Sequence, residues 1–516
     1  MKDPTLVCAS LVAPSPEDMA REMGIAADHG ADLVELRLDS LASFNPRPHL
    51  HFLLKHRPLP VIVTFRPKWE GGEYEGDENW RLDALRLAME FGADYVDIEL
   101  QAAQEFVESI SVKKPENFKL IVSSHNYQTT PSIEELGNLV SRIQAVGADI
   151  VKIATSPVDI SDVTRMFKML AHCQEEQQVP MIGMVMGERG LVSRLLCPKF
   201  GGYLTFCSLN IGKESAPGQP TITDLMNLYR IKQIRTDTMV LGLIGKPVGH
   251  SKSPLLHNAA LNSVGINAVY VPFLVDDLAS FLKAFSYPDF AGFSVGIPHK
   301  VTAITCCDEV DPIAKCIGAV NTIVRRPSDG KLIGYNTDYV GAISAIEDGI
   351  RGLIGDHSIE LPLDGRIFVV IGAGGAGKAL AYGAKAKGAR VVIANRTYAG
   401  AKALAESVGC DALLFTELES FNPEKGMVLA NTTSVGMQPN VHDTPIAKSA
   451  LGHYDLVFDA VYTPKETRLL REAKESGIPV VSGVEMFIRQ AMKQFDLFTG
   501  LPAPEEMMRD FVMKNI

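Results

Sequence analysis

Short apolar, largely β-branched runs recur along the first 230 residues, at 5–11, 33–39, 60–66, 95–100, 119–126, 150–155, 181–187 and 203–209. Most are separated by 18 or more residues with helical spacing, for example 15–29 and 133–146. Eight strands alternating with helices predict parallel βα units, and eight such units close into a (β/α)8 barrel over 1–233. The polar residues fall at the C-terminal ends of these strands: Glu35 and Arg37, Arg66, Asp97 and Glu99, His125, and Lys152. Barrel active sites open at that face. Residues two apart share one face of a strand, so Glu35 with Arg37 and Asp97 with Glu99 are each expected to aim inward together.

The rhythm changes at 227–238, where a polar helix end over 229–235 is expected to lead into a domain boundary and a new strand at 239–245. Further βα alternation runs to about residue 338. An apolar strand then enters Gly372-Ala373-Gly374-Gly375-Ala376-Gly377 and a helix. Glycines in that context permit a tight turn and let the backbone approach a pyrophosphate at the helix N-terminus. The next strand, 390–394, ends in Asn395-Arg396-Thr397 rather than in an acidic residue. An arginine there suits a 2′-phosphate, which points to NADP.

At roughly 100–200 residues per domain, 516 residues predict about three domains. With 46% hydrophobic and 22% charged residues the chain is globular in composition, not disordered or fibrous. Fifty Lys and Arg against 61 Asp and Glu give a net charge of −11, which disfavours nucleic acid or an anionic membrane as partner and leaves room for a local phosphate pocket. There is no run of 18 apolar residues, so no membrane span is expected. The opening Met1-Lys2-Asp3-Pro4 runs straight into the first apolar run, so neither a signal nor a transit peptide is expected. Eight cysteines without a C-x-x-C pair read as free thiols in a reducing compartment, with Cys306-Cys307 as packing. His49, His51 and His56 lack a metal-ligand set, and no metal is expected. The acidic, glycine-containing stretch 70–78 reads as a solvated loop near the barrel mouth.

Glu35-Leu-Arg37, Thr64-Phe-Arg66, Ser124-His125, Lys152-Ile-Ala, Ser193-Arg194 and Ser215-Ala-Pro-Gly-Gln219 together resemble a type I 3-dehydroquinate dehydratase. Gly249-His250-Ser251-Lys-Ser253-Pro, Ile297-Pro-His-Lys300, Gly318-Ala-Val-Asn321, Asn336-Thr-Asp338, Asn431–Met437 and Gly483–Gln490 resemble a shikimate dehydrogenase. The fused order resembles the plant bifunctional family, over essentially the whole chain. The resemblance implies a TIM barrel followed by a two-lobed α/β dehydrogenase with a Rossmann-type NADP-binding lobe. A substrate lobe at 239–340, completed by 481–516, would be interrupted by a dinucleotide lobe at 341–480.

The resemblance also implies roles. Lys152 would form a Schiff base with the ketone of 3-dehydroquinate, its free amine favoured by desolvation and by neighbouring arginines. His125 would move protons and Glu99 would orient it. Arg194, Ser215 and Gln219 would hold the carboxylate and a loop lid, while Glu35, Arg37 and Arg66 would bind ring hydroxyls and carboxylate. In the second half Lys300 and Asp338 would be the proton-transfer dyad, and Ser251, Ser253, Asn321, Tyr462 and Gln490 would contact substrate. The residues of the glycine loop with Asn395, Arg396, Thr397, Thr433 and Gly483 would hold NADP. Substrates would be 3-dehydroquinate, 3-dehydroshikimate, shikimate and quinate. A monomer without metal is expected, in the plastid by family habit or alternatively in the cytoplasm.

Two positions depart from the family pattern. Gly296 stands where a threonine is usual four residues before Lys300, which opens room for the tetrahedral, hydroxylated C1 of quinate. A quinate dehydrogenase, or dual activity, is therefore expected, and gallate-forming oxidation of dehydroshikimate is a further alternative. Gly400 stands where Asn-Arg-Thr-x-x-Arg would place a second cation, so NAD use is expected beside NADP.

Overall fold

The computed structural model describes residues 4–55, 57–176, 179–249 and 251–515. Met1 to Asp3 of the opening, His56, and His250 of the serine motif lie outside the described residues. The chain divides into two compact units, Met1–Val240 with Asn267–Asp289, and Leu241–Ile266 with Phe290–Ile516.

The first unit is built on β1 (Leu6–Leu11), β2 (Leu33–Arg37), β3 (Val61–Thr64), β4 (Tyr95–Glu99), β5 (Lys119–Asn126), β6 (Ile150–Thr155), β7 (Met181–Val185) and β8 (Leu204–Cys207). They form one sheet in the order β7-β6-β5-β4-β3-β2-β1-β8. The Tyr203 N–H donates to the Met181 carbonyl at 2.8 Å and brings the start of β8 to β7, nearly closing the TIM barrel. Helices between strands start where the sequence supplies a cap. Ser15 accepts the Asp18 N–H ahead of Pro16–Asp28, and Ser132 with Glu135 forms a capping box ahead of Ile133–Ala145. Apolar side chains from alternate strand positions fill the barrel, with Cys8, Leu33, Ile62, Ile121, Ile150, Ile182 and Leu204 in one cluster with Ala154, Met184, Met186 and Phe206. The polar strand ends stand at one rim of this packed plug. The helix end expected at 229–235 is not formed. Arg230 takes a left-handed backbone at φ 48°, which breaks the chain into two short turns, Asp224–Leu228 and Ile231–Gln233.

After β9 (Met239–Gly245) and β10 (Ala268–Leu274) come β11 (Phe290–Val295), β12 (Glu309–Val310), β13 (Thr322–Arg325) and β14 (Leu332–Tyr335). Within the second unit β9, β11, β13, β14 and β12 are neighbours in that order, with β13 antiparallel to both β11 and β14. A separate sheet holds β15 (Ile367–Ile371), β16 (Arg390–Asn395), β17 (Asp411–Leu414), β18 (Met427–Asn431), β19 (Tyr454–Asp459) and β20 (Val480–Ser482). It is wholly parallel in the order β17-β16-β15-β18-β19-β20, the Rossmann arrangement. Its central strands are buried on both faces and read as near-continuous apolar runs, Ile367-Phe-Val-Val-Ile371 above all, while the edge strand β17 is partly exposed. The strand order reverses between β15 and β18, and a crevice opens beyond the ends of such a pair.

Candidate functional sites

Glu35, Arg37, Arg66, His125, Lys152, Arg194, Ser215 and Gln219 line one cavity of about 450 Å³ at the C-terminal rim of the barrel. Lys152 sits on β6, where its Nζ lies 2.6 Å from Asp97 Oδ2, 3.6 Å from Glu35 Oε1 and 4.5 Å from the centre of the Phe206 ring. Ser10 and Thr64 donate to the two oxygens of Glu35 at 2.6 and 2.8 Å. Asp97 is inaccessible, and despite its burial Arg66 and Lys152 hold its carboxyl far below the usual range. It is a fixed negative charge under the lysine.

Arg66 is gripped by Asp97 at 2.9 Å, Glu99 at 2.5 Å and the Ser123 hydroxyl at 2.9 Å. Arg194 is different. It is almost wholly buried, has no carboxylate partner among the described residues, and leaves its Nε without a hydrogen bond. Burial pushes it down to about 10. The loop behind it closes on itself, with the Ser215 N–H donating to Gln219 Oε1 at 2.8 Å and Gln219 Nε2 donating to Ser215 Oγ at 2.9 Å. Gly218 has φ +74°, and a Cβ there would lie 2.3 Å from the Gly187 carbonyl oxygen, so only glycine fits.

The expected partnership of Glu99 with His125 is corrected. Glu99 lies at the end of β4 between Arg66 and Arg81 Nη1, the latter at 2.8 Å, and does not line the cavity. His125 Nδ1 instead meets Glu70 Oε1 at 2.9 Å, and the same oxygen accepts the His125 backbone N–H at 3.0 Å. Residues 66–74 fold back on themselves, with the Lys68 N–H bonded to the Tyr74 carbonyl, which swings Glu70 inward from a stretch that reads as solvated loop. Burial, partly opposed by Arg66, pushes the Glu70 carboxyl up to about 7. Burial together with Arg66 and Lys152 holds His125 well below its ordinary value, so its ring is neutral. The spacing Arg66-x-x-x-Glu70 just past a strand end was the available signal. Tyr127, whose ring stacks on His125, and the apolar wall of Met184, Met186 and Phe206 carried none.

In the second unit a cavity of about 890 Å³ is lined by Ser253, Gly296, Lys300, Asn321, Asp338, Tyr462, Gly483 and Gln490. Lys300 Nζ donates to Asp338 Oδ2 at 2.6 Å, with Asp338 opening the helix Asp338–Ile354. Asn321 is held by Thr337, whose N–H donates to Asn321 Oδ1 at 2.7 Å, and Tyr462 stacks on Phe487 at 5.1 Å. Ser253 lines the cavity while Ser251 stands behind it, its Oγ accepting the Ser253 N–H at 3.2 Å. Ser294 and Gln494, which also line it, share a 2.7 Å hydrogen bond and were missed. Gln494 lies four residues beyond Gln490 on the helix Gly483–Thr499, a spacing that marks one face.

The glycine turn follows β15. Gly372 has φ +110°, and a Cβ on Gly377 would lie 2.2 Å from the Gly372 carbonyl oxygen. Gly374 precedes the helix Gly375–Ala386, and a Cβ on Gly374 or Gly375 would meet nothing within 4 Å. The turn therefore leaves open space over a helix N-terminus, with Ala373 within it and Ala376 lining the second cavity. Asn395, Arg396 and Thr397 stand at the end of β16, with Arg396 exposed and Asn395 Nδ2 donating to the Thr397 carbonyl at 2.9 Å. Thr433, past β18, donates its hydroxyl to Asn431 Oδ1 at 2.7 Å, across the switch point from Gly372.

Comparison with known proteins covers both units. Residues 7–236 match the family of type I 3-dehydroquinases. Residues 243–323 match the shikimate dehydrogenase substrate binding domain, 357–459 shikimate / quinate 5-dehydrogenase, and 483–513 the shikimate 5′-dehydrogenase C-terminal domain. A chloroplastic bifunctional 3-dehydroquinate dehydratase/shikimate dehydrogenase from Arabidopsis thaliana is 63% identical over 517 residues, covering 100% of this chain and 85% of that protein. A shikimate dehydrogenase (NADP(+)) from Bacillus cereus is 37% identical over 283 residues, covering 53% of this chain and 98% of its own. The solved dehydroquinate dehydratase and shikimate dehydrogenase of S. pombe AroM is 25% identical with a TM-score of 0.45, covering 99% of each chain. Two matched halves in one order, and a relative this similar from end to end, place the chain in the bifunctional 3-dehydroquinate dehydratase/shikimate dehydrogenase family.

Proposed function

We propose that this bifunctional dehydratase and dehydrogenase of the shikimate pathway performs its barrel reaction through a Schiff base on Lys152. The observation that carries the reading is the placement of Lys152, His125 and Arg194 around one cavity. The lysine amine adds to the ketone of 3-dehydroquinate and water leaves, giving a protonated imine that draws electrons from the adjacent C–H bond. His125, neutral and held by Glu70, takes that proton. The same proton then leaves with the ring hydroxyl as water, and hydrolysis of the imine frees 3-dehydroshikimate and Lys152. Arg194, a buried cation with no carboxylate partner among the described residues, is matched to the substrate carboxylate. Glu35, Arg37 and Arg66 face the ring from the opposite strands.

In the second cavity the residues fit a nicotinamide dinucleotide, since the open space over Gly374 and Gly375 faces a helix N-terminus. Gly372 to Gly377 would hold its pyrophosphate, Asn395, Arg396 and Thr397 its adenosine end, and Thr433 and Gly483 its nicotinamide end. The cofactor supplies hydride exchange with the alcohol carbon. Lys300, fixed by Asp338, moves the hydroxyl proton or stabilises the alkoxide. Ser253, Asn321, Tyr462 and Gln490 line the cavity and orient the substrate, with Ser251 supporting Ser253 from behind. Gly296 widens the cavity next to the Ile244 carbonyl, which supports quinate as a substrate beside shikimate. Arg396 supports NADP, and the missing cation at Gly400 supports NAD as well.

The dehydrogenase lobes are assigned as 239–340 with 481–516 and 341–480, following the barrel at 1–233. We assign a monomer, and the plastid as compartment after the chloroplastic relative, with the cytoplasm as alternative. The test is a matrix of shikimate and quinate, each with NADP and NAD, alongside enone formation from 3-dehydroquinate. Absence of enone formation would overturn the barrel reading, and failure with both alcohols the second.

A further inference from the structure

We infer that Asp39 is a positioning residue that ties the Glu70-bearing loop and the substrate-facing Arg37 to one buried carboxylate. Asp39 lies in the single turn Leu38–Ser40 just past β2, its side chain 1% exposed, and it does not line the cavity. All four groups it meets are donors. Arg37 Nε and Arg66 N–H donate to one oxygen at 3.0 and 3.2 Å, while Arg37 Nη2 and Glu73 N–H donate to the other at 2.7 and 3.1 Å. Burial opposes the charge, but Arg37 and the two backbone N–H groups hold the carboxyl below its usual range. Ionised, it makes charge-assisted bonds in every direction it faces.

The geometry explains what these bonds do. Arg66 and Glu73 are the two ends of the loop that carries Glu70, so one carboxylate pins both ends and the tip stays against His125. The loop has internal bonds of its own, Tyr74 N–H to the Arg66 carbonyl and Gly72 N–H to the Pro67 carbonyl, which fix its shape. Among the described residues, Asp39 supplies the link from those ends to β2. Through Arg37, whose Nη1 donates to the Ser215 carbonyl at 3.4 Å, the same anchor reaches the Ser215–Gln219 loop that follows β8. Arg37 lines the cavity with its charge paired to Asp39, which does not itself line it.

The inference rests on the barrel reaction proposed above, and the experiment separates the two. The full chain is assayed for dehydration of 3-dehydroquinate as parent, Asp39→Asn, Glu70→Gln and the double variant. Asparagine replaces one acceptor oxygen by an NH₂ group that faces only donors. We expect kcat to fall about tenfold or more in Asp39→Asn, with KM raised through Arg37, as for loss of a charge-assisted hydrogen bond. In the Glu70→Gln background the same change should cost kcat less than about twofold, because the contact it protects is already lost. Borohydride trapping of substrate on Lys152 should survive in Asp39→Asn. Should Asp39→Asn not fold, Asp39→Ser, with a small acceptor, enters the same cycle. An unchanged kcat, or effects of Asp39 and Glu70 variants that simply multiply, would overturn the inference. A parent chain that neither turns over nor traps 3-dehydroquinate overturns the barrel reading instead.

Discussion

Glu70 Oε1 lies 2.9 Å from His125 Nδ1 and 3.0 Å from the His125 backbone nitrogen, so one oxygen fixes both the ring and the strand end that bears it. A histidine held in this way keeps its other nitrogen for the cavity and stays in one tautomer. Replacing Glu70 by Gln should lower kcat of dehydration about ten- to a hundredfold with KM less affected, since orientation of a base is spent in the transition state. An unchanged kcat would refute the pairing as functional.

The same residue predicts a pH effect on stability. Burial raises the Glu70 carboxyl to about 7 from its ordinary 4.5. An acid with a raised folded pKa binds more protons folded than unfolded, so its stabilising share is complete below the unfolded value and is lost as pH rises through about 7. Glutamine does not ionise. The Tm of Glu70→Gln relative to the parent should therefore climb between pH 4.5 and 8, measured by thermal unfolding; a difference that falls over that range contradicts the assignment.

Lys152→Ala should abolish the mass increase that borohydride produces with 3-dehydroquinate in the parent. Its Nζ stands between Asp97 and Glu35 in a site lined by Phe206, whereas Lys113 and Lys114 pair with Glu90 and Asp149 and do not line the cavity. Trapping that survives the substitution would move the imine to another lysine.

A side chain at Gly296 would meet the Ile244 carbonyl oxygen, whose distance from an added Cβ is 3.2 Å. Gly296→Thr is therefore tight, and the Ile244 carbonyl, which accepts the Gly296 N–H at 2.7 Å, must give by a few tenths of an ångström. It should shift the ratio of kcat/KM for shikimate over quinate upward by about tenfold, the scale of one hydrogen bond or of excluded heavy atoms. A ratio that stays put would detach quinate use from this position.

Gly400→Arg restores a cation in the first turn of the helix Tyr398–Val408, and its Cβ would press on Asn395 Nδ2 at 3.0 Å, the end of a side chain rather than backbone. A charge-assisted bond to a 2′-phosphate contributes on the order of 1.5–3 kcal/mol, so KM for NADP relative to NAD should fall roughly ten- to a hundredfold. Equal KM changes for both cofactors would count against the 2′-phosphate site.

What was legible in the chain was whatever regular structure repeats. The eight strand runs and the glycine turn declare themselves by period and by breakers, and inward residues at strand ends follow from alternation, as Lys152 and Glu35 do. Glu99 was legible as inward but not as to its partner. That depends on Arg81, which arrives from the helix Glu78–Glu90 and is fully buried against it. Glu70 was hidden for a different reason. Loop direction is set by hydrogen bonds between residues such as Asp39 and Glu73, and no periodicity encodes those. Gln494 was within reach, because Gln490 had already identified its face of the helix.

Arg194 has a consequence for the lifetime of the protein as well as for its chemistry. Arg194 is buried with no carboxylate partner among the described residues, an arrangement that disfavours the ligand-free barrel, and a carboxylate ligand completing the site would bind only the folded form. Such binding adds RT ln(1 + [L]/Kd), about 2.7 kcal/mol at a hundredfold excess over Kd. If Arg194 takes the substrate carboxylate as proposed, the resistance of the barrel to unfolding and proteolysis is expected to rise with the concentration of that substrate.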